Sequence, residues 1–224
     1  MSYHGVFFDF DYTLGDSTAA IAEGYRLGFL ALGLDPPTEE QVRHTVGLTL
    51  ADGYALLTGD HNPERQEAFY HSFQHTVGVE AGGEGRRLMI EGTTLFPGAE
   101  ELLLALKHAG VRTAIVSTKP GSTIRRIFEH QGRKDLLDLV VGGDEVTQAK
   151  PHPQGLRLAL ERLGLSAEQV LFCGDTVIDA ATAQAGGCQF CAVLNGTTKA
   201  DAFERFPCVH TAPDLAELKR WLKV

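Results

Sequence analysis

The sequence predicts an α/β protein in which a parallel sheet is interrupted, after its first strand, by a helical insertion. Three observations favour this fold class. From about Thr94 to the C-terminus, short apolar runs alternate with amphipathic helical segments, and glycine or proline separates them. Residues 6–10 form an apolar run with the composition of another strand of that sheet. The next ~80 residues do not continue the alternation and carry helical patterns instead.

The elements after Thr94 follow from their own patterns. A helix opens near Pro97 and closes at Gly110, since proline favours the first turn of a helix and glycine the residue after its end. The alternation continues with strands at residues 111–117, 139–141, 170–173 and 190–194, and with helices at residues 121–132, 153–163, 179–185 and 215–222. This order predicts a Rossmann-like, doubly wound parallel sheet.

The insertion has the pattern of a small α-helical cap. Residues 19–32 and 63–76 are helical in pattern, and Thr38 is suited to cap a helix that starts within residues 36–40. The glycine-rich residues 82–85 predict a loop or hinge. We therefore expect an α/β core domain of residues 1–15 and 93–224, and a cap domain of residues 16–92.

Composition excludes several classes of partner. A formal net charge of −9 would repel a polyphosphate backbone, so no nucleic-acid partner is expected. The longest apolar runs, at residues 102–106 and 111–116, are far shorter than the ~20 residues of a membrane span. The N-terminus lacks the pattern of a signal peptide, so a cytoplasmic location is expected. The four cysteines lack the spacing of a zinc site and are expected to be reduced.

Two carboxylates, Asp9 and Asp11, stand where the first apolar run ends. Open α/β sheets bind ligands at the carboxyl ends of their strands. Carboxylates this close repel each other and lose solvation when buried, a cost that a divalent cation offsets. The same residues also suit a strand end followed by a turn, so the pair alone leaves both interpretations open.

A second pair of carboxylates, Asp175 and Asp179, follows another apolar run. If the two pairs face each other across the end of the sheet, they suit a hard, oxygen-preferring cation such as Mg²⁺. Asp179 is also in a position to cap the helix that begins there, and the two roles are compatible.

Three further residues suit a bound phosphate. Ser117 and Thr118 end the predicted strand at residues 111–117, and Lys150 precedes a proline. A hydroxyl can donate a hydrogen bond to a phosphoryl oxygen, and an ammonium can balance the charge of phosphate and carboxylates together. Taken alone, Lys150 is more typical of a solvated surface lysine than of a phosphate-binding residue.

These segments, in this order, resemble the haloacid dehalogenase superfamily. Its pattern is DxDxT, a hydrophobic strand ending in Ser or Thr, a Lys, and GDxxxD; the matching residues are Asp9, Asp11, Thr13, Ser117, Lys150, Asp175 and Asp179. The resemblance covers nearly the whole chain, because the insertion is similar to that superfamily's helical cap. KPxP followed by GDT resembles its phosphoglycolate phosphatase-like branch. Tyr12, where glycine is commonest, and Gly15, where an apolar residue is usual, depart from the pattern.

The resemblance implies a Mg²⁺-dependent phosphatase that hydrolyses a small phosphorylated metabolite through an aspartyl-phosphate. It assigns Asp9 as nucleophile, Asp11 as general acid and base, and Lys150 as the residue that orients Asp9. It implies that Thr13 helps to hold the first loop and to bind substrate, and that Ser117 and Thr118 bind the phosphoryl group. It implies, as Mg²⁺ ligands, Asp9, the main-chain carbonyl of Asp11, and Asp175, with Asp179 as an occasional ligand.

Alternatives within the superfamily differ in how well they fit. Dehalogenases lack the second aspartate, so Asp11 argues against that chemistry. The phosphonate-cleaving branch uses a cap lysine, and no lysine precedes Lys107. Sugar phosphomutases usually carry an arginine after a cap glycine, whereas Gly47 is followed by Leu48. A mutase, an inorganic pyrophosphatase and a metal-binding scaffold or regulator stay open as alternatives, and the protein is expected to be a monomer or a homodimer.

Overall fold

The computed structural model describes residues 3–77 and 85–224. The chain divides into two compact units, one formed by Met1–Asp16 with Leu95–Val224 and the other by Ser17–Thr94. The sequence predicts that the cap begins after residue 15 and ends at residue 92, whereas in the structure the helical unit begins after Asp16 and ends at Thr94. The two boundaries therefore differ by one and by two residues. The predicted hinge at residues 82–85 falls outside the described residues, except for Gly85, which begins a helix.

The strands are β1 (Gly5–Phe8), β2 (Gly15–Asp16), β3 (Thr94–Leu95), β4 (Arg112–Val116), β5 (Leu139–Val141), β6 (Val170–Gly174), β7 (Gln189–Val193) and β8 (Cys208–Ala212). A six-stranded sheet has the order β5-β4-β1-β6-β7-β8, and all its pairings are parallel. Strands β4 and β5 lie on one side of β1, and the later strands β6, β7 and β8 lie on its other side. This reversal is the topological switch point of a doubly wound sheet, and it lies at the end of β1.

The helices are α1 (Thr18–Ala31), α2 (Glu39–Arg43), α3 (Leu50–Thr58), α4 (Pro63–Val77), α5 (Gly85–Glu91), α6 (Ala99–His108), α7 (Gly121–His130), α8 (Gln154–Leu163), α9 (Val177–Gly186) and α10 (Leu215–Leu222). Helices α8 and α9 pack on one face of the sheet, against Phe7, Phe172 and Phe190. Alternate residues such as Phe8 and Leu171 point to the other face and are fully buried, and α6 and α10 pack against β4 and β8. The predicted fold class is therefore confirmed.

The second unit is helical and has a core of its own. Helices α1, α3 and α4 surround an aromatic cluster in which Phe69 lies 5.1 Å from Tyr25 and 5.3 Å from Tyr54, centroid to centroid. Thr38 caps α2 as predicted, because its hydroxyl accepts the Gln41 amide while the Gln41 side chain accepts the Thr38 amide.

Several elements were not predicted from the sequence: helices α3 and α5, and strands β2, β3 and β8. The predicted strand at residues 6–10 ends two residues early, at Phe8. All four cysteines are free; Cys173, Cys188 and Cys191 are buried, and Cys208 is half-buried. Within the described residues, the helices are too short or too polar to cross a bilayer.

Candidate active site

The loop after β1 is held together by the carbonyl of Phe10. It accepts hydrogen bonds from the amides of Thr13, Leu14 and Gly15, at 3.2, 2.9 and 2.9 Å. These bonds turn the chain away from the sheet, which explains why the strand stops before the DxD segment. The Phe10 ring lies over Gly15, where an added Cβ would approach it to 2.6 Å. The Phe10 ring fills the space that an apolar side chain at position 15 would occupy, which explains why glycine stands there.

Tyr12 adopts φ +62°, in the left-handed region that costs a non-glycine residue about 1 kcal/mol or more. This conformation gives a physical reason for the glycine that is commonest at this position. The Tyr12 side chain is buried, and that burial offsets the strain.

Three carboxylates meet at the switch point. Asp9 continues the pairing of β1 with β6, since its amide donates to the Cys173 carbonyl at 2.9 Å. Asp175 follows β6 directly, and Asp179 lies in the first turn of α9. One carboxylate oxygen from each of the three lies within 4.8 Å of the others, and all three side chains are buried. The structure thus brings together the residues predicted to bind Mg²⁺, apart from Asp11.

Lys150 is the cation of this cluster. Its Nζ lies 2.6 Å from Asp179 Oδ1 and 2.9 Å from Asp9 Oδ1. Burial lowers the pKa of Lys150, but the charges of Asp179 and Asp9 outweigh burial and hold that pKa above its ordinary value. Lys150 is therefore a charged, buried lysine. The alternative from the sequence, a solvated surface lysine, is wrong.

Two acids of the cluster, Asp175 and Asp179, have raised pKa values. Burial raises the pKa of Asp175 well above its usual range, and the charges of Asp179 and Asp9 raise it further. Burial also raises the pKa of Asp179, although Lys150 opposes the shift. Three buried carboxylates with one ammonium leave an excess negative charge that a further cation would neutralise.

Asp179 has two roles in the structure. Thr176 is the N-cap of α9, and its amide and hydroxyl donate to Asp179 Oδ2 at 3.1 and 2.6 Å, while the Asp179 amide donates back to the hydroxyl. The other carboxylate oxygen accepts from Lys150. Asp179 therefore completes a capping box and orients Lys150 at the same time.

A loop after β7 supports the other side of the cluster. Thr13 donates its hydroxyl to Asp175 Oδ1 at 3.1 Å, and the Asn195 side chain donates to the Thr13 carbonyl at 3.1 Å. Gly196 packs so closely on Asp175 that an added Cβ would collide with the carboxylate. Asn195 and Gly196 were not singled out in the sequence, because only the fold brings this loop to Asp175.

The residues that follow β4 form the remaining wall. Ser117 is buried and Thr118 half-buried. The Lys119 ammonium lies 3.0 and 3.2 Å from the two carboxylate oxygens of Asp11. Asp11 therefore gives no carboxylate oxygen to the acidic cluster, and only its main-chain carbonyl stays a predicted metal ligand.

The donor set fits a small divalent cation. Oxygen donors alone make up the cluster of Asp9, Asp175 and Asp179, which is the chemistry that Mg²⁺ prefers. Asp9 Oδ1 is fully buried and accepts no hydrogen bond from the described residues, although Lys150 lies beside it. A buried carboxylate oxygen that has an ammonium beside it but accepts no well-aligned hydrogen bond retains lone pairs with which to bind a cation.

Comparison with known proteins agrees with this geometry. A family model described as haloacid dehalogenase-like hydrolase matches residues 6–193. A phosphoglycolate phosphatase of Yersinia pestis is 31% identical over 192 residues, covering 82% of this chain and 78% of that protein. A phosphoglycolate phosphatase of Salmonella paratyphi A is 33% identical over 202 residues, with the same two coverages.

Solved structures give the same result. A crystal structure from Bacteroides fragilis assigned to the haloacid dehalogenase-like hydrolases is 34% identical and superposes with a TM-score of 0.89, covering 96% of this chain and 99% of that one. A haloacid dehalogenase-like family hydrolase of Streptococcus pneumoniae is 25% identical, with a TM-score of 0.82 over 98% of both chains. This chain therefore belongs to the haloacid dehalogenase-like hydrolases, in their phosphoglycolate phosphatase-like branch, and is an enzyme of the phosphoric monoester hydrolase class.

Proposed function

We propose that this phosphatase hydrolyses a small, phosphoglycolate-like phosphomonoester in the cytoplasm, with Mg²⁺, through an aspartyl-phosphate formed on Asp9. The observation that carries the proposal is the buried cluster of Asp9, Asp175 and Asp179 with Lys150 beside it, at the switch point of the sheet. The relatives named phosphoglycolate phosphatase support the substrate class.

In the first step, Asp9 attacks the phosphorus atom. A new bond forms between its carboxylate oxygen and phosphorus while the bond to the leaving oxygen breaks. Lys150 holds the Asp9 carboxylate in place and reduces the repulsion between it and the substrate's charge. Ser117 and Thr118, at the end of β4, donate hydrogen bonds to the phosphoryl oxygens.

Asp11 moves the protons. As an acid it gives its proton to the leaving oxygen in the first step. As a carboxylate in the second step it takes a proton from the water whose oxygen attacks phosphorus, and the bond between phosphorus and Asp9 breaks. Phosphate leaves, and the protein returns to its starting state.

Asp9, Asp175 and the main-chain carbonyl of Asp11 would hold the Mg²⁺, with Asp179 as an occasional ligand. When bound, the cation neutralises charge on the phosphoryl oxygens and the carboxylates. Two observations support this assignment: Asp9 Oδ1 accepts no hydrogen bond from the described residues, and the buried cluster has an excess of negative charge.

Phosphate release is the measurement that tests the function. We expect hydrolysis of p-nitrophenyl phosphate to stop in a chelator and to return with Mg²⁺. Ca²⁺ should bind but support little turnover, because its larger and looser coordination shell misplaces the nucleophile. Equal rates with the two ions, or full activity in chelator, would contradict the proposed metal dependence.

A panel of metabolites defines the substrate. It should contain phosphoglycolate, other small phosphomonoesters, nucleoside monophosphates, pyrophosphate and a hexose 1-phosphate. The proposal expects the highest kcat/KM for a small phosphomonoester with phosphate as a product. Preference for pyrophosphate, or isomerisation of the hexose phosphate without phosphate release, would favour the pyrophosphatase or mutase alternative.

The close packing of Gly196 makes a separate prediction. In Gly196→Ala the added methyl group must displace the Asp175 carboxylate, and a shift of about 1 Å in an active site lowers turnover about 100-fold. The concentration of Mg²⁺ needed for half-maximal activity should rise as well. Thr197→Ala, an exposed position in the same loop, is the matched control and should behave as the wild type. An unchanged Mg²⁺ requirement in Gly196→Ala would show that this contact does not position Asp175.

A further inference from the structure

The site contains a second buried lysine, Lys119, in addition to Lys150, the lysine of the sequence motif. Its side chain is only 7% exposed, and its Nζ contacts both carboxylate oxygens of Asp11. Lys150, in contrast, pairs with Asp9 and Asp179. Three of the four acids of the site are therefore divided between two lysines, and Asp11 is the partner of Lys119.

The backbone around Lys119 fixes this arrangement. Strand β4 pairs with β1 in parallel register, with Ile115 beside Phe8, so the loops that follow the two strands leave the sheet side by side. The Lys119 carbonyl accepts the Gly143 amide at 3.1 Å, and the Lys119 amide lies 3.4 Å from the Ser117 hydroxyl. The Lys119 ammonium also lies 5.9 Å from the centre of the Phe10 ring. Contacts on several sides hold this lysine in place.

An ion pair this deeply buried is not explained by stability alone, because desolvation of both charges opposes it. Its geometric consequence is clear: the Asp11 carboxylate is kept out of the cluster formed by Asp9, Asp175 and Asp179. A carboxylate on such a short loop would otherwise be a further oxygen ligand for a cation bound at that cluster. A carboxylate bound to the cation could not exchange protons with the leaving group.

We propose that Lys119 is a positioning residue for Asp11: its two-point contact holds the carboxylate on the leaving-group side, away from the metal ligands. This inference rests on the proposed function, in which Asp11 is the acid and base. Lys119 keeps its own protons in both steps. The transferred proton passes only between Asp11 and the leaving oxygen, or between Asp11 and the attacking water.

Two substitutions separate the role of the charge from that of the side-chain volume. Lys119→Met removes the ammonium at similar length, and Lys119→Arg retains a cation and its donors. With an alkyl phosphate we expect Lys119→Met to lower kcat about 10- to 100-fold and to change KM less than about threefold, since a misplaced acid or base slows the chemistry and not binding. Lys119→Arg should recover part of the loss.

The leaving group provides a second readout. p-Nitrophenolate departs without a proton, so for p-nitrophenyl phosphate the first step should be nearly unaffected and the second step slowed. Lys119→Met should then give a burst of nitrophenol close to one equivalent of enzyme, followed by slow turnover, as Asp11→Asn should. A merely structural defect lowers burst and steady rate together.

A double-mutant cycle decides whether Lys119 acts through Asp11. In the Asp11→Asn background, Lys119→Met should change kcat less than about twofold, because the group that it positions is already gone. Additive effects, or a raised KM with unchanged kcat, would overturn the proposal. Thermal unfolding of all four proteins checks the fold, and the neutral Met–Asn pair of the double variant removes the unpaired buried charge that either single variant leaves.

The proposed function is tested separately in the same assays. If Asp9→Asn is inactive and Mg²⁺ is required, yet the cycle is additive, only the positioning role of Lys119 fails. If Asp9→Asn remains active, the proposed function itself fails.

Discussion

Asp9→Asn should abolish turnover, with kcat lowered by about 10⁴-fold or more, as removal of a catalytic nucleophile does. Asparagine keeps the volume of the side chain but has no attacking carboxylate oxygen, and it leaves one predicted metal ligand neutral. Phosphate release and intact-mass detection of a phosphoenzyme measure the result. The wild type should carry phosphate on Asp9 under rapid quench, and the variant should carry none.

The fold should survive this substitution. Asp9 contributes one of three mutually repelling buried carboxylates, and Lys150 retains its contact with Asp179 when Asp9 is neutral. We therefore expect a thermal midpoint equal to or above that of the wild type. Asp201→Asn, at an exposed position of the same unit, is the matched control and should keep full activity. Near-wild-type turnover by pure Asp9→Asn would remove Asp9 from the role of nucleophile.

The positions of the acids could be predicted because each one is tied to a local pattern. Asp9 and Asp175 both come directly after apolar runs, and in a parallel sheet the carboxyl ends of the strands share one edge. β1 and β6 are neighbours in that sheet, which brings the two acids together. Local order in the sequence thus predicted a contact between residues more than 160 positions apart.

Lys119 could not be predicted in the same way. A lysine between Thr118 and Pro120, just after a strand, is typical of an exposed turn. Its contact with Asp11 depends on the register of β4 with β1 and on the way the loop folds around the Phe10 carbonyl. Neither feature has a signal in the sequence of Lys119 itself.

Strand β8 and helix α3 were missed for different reasons. Strand β8 lies at the edge of the sheet, and its residues are mostly half-exposed, so it lacks the apolar run of a buried strand. Helix α3 did carry a start signal. The Thr49 hydroxyl accepts the Asp52 amide at 3.1 Å, a pairing that the T-x-x-D spacing predicts.

Lys150→Met should affect stability and activity together. The Lys150 side chain is 5% exposed and contacts Asp9 and Asp179, so its loss leaves buried carboxylates without their cation. Removing one partner of a buried pair costs about 3–5 kcal/mol in the free energy of unfolding. Turnover should fall about 10²- to 10³-fold, since an oriented charge at the reacting phosphate is lost. Urea unfolding and phosphate release measure the two effects, with exposed Lys199→Met as the control.

The stability lost in Lys150→Met should depend on Mg²⁺, and this dependence links the ion pair to the metal site. A ligand that binds only the folded state stabilises it by about 2.7 kcal/mol at one hundred times its dissociation constant. Without the ammonium, the negative charge of the cluster of Asp9, Asp175 and Asp179 is no longer partly balanced, so Mg²⁺ should stabilise the variant more than it stabilises the wild type. The difference in unfolding midpoint between the wild type and Lys150→Met should therefore be largest in chelator and should become smaller as Mg²⁺ is added. A gap that is the same with and without Mg²⁺ would mean that the cation does not bind beside Lys150, and that the acidic cluster is not the metal site.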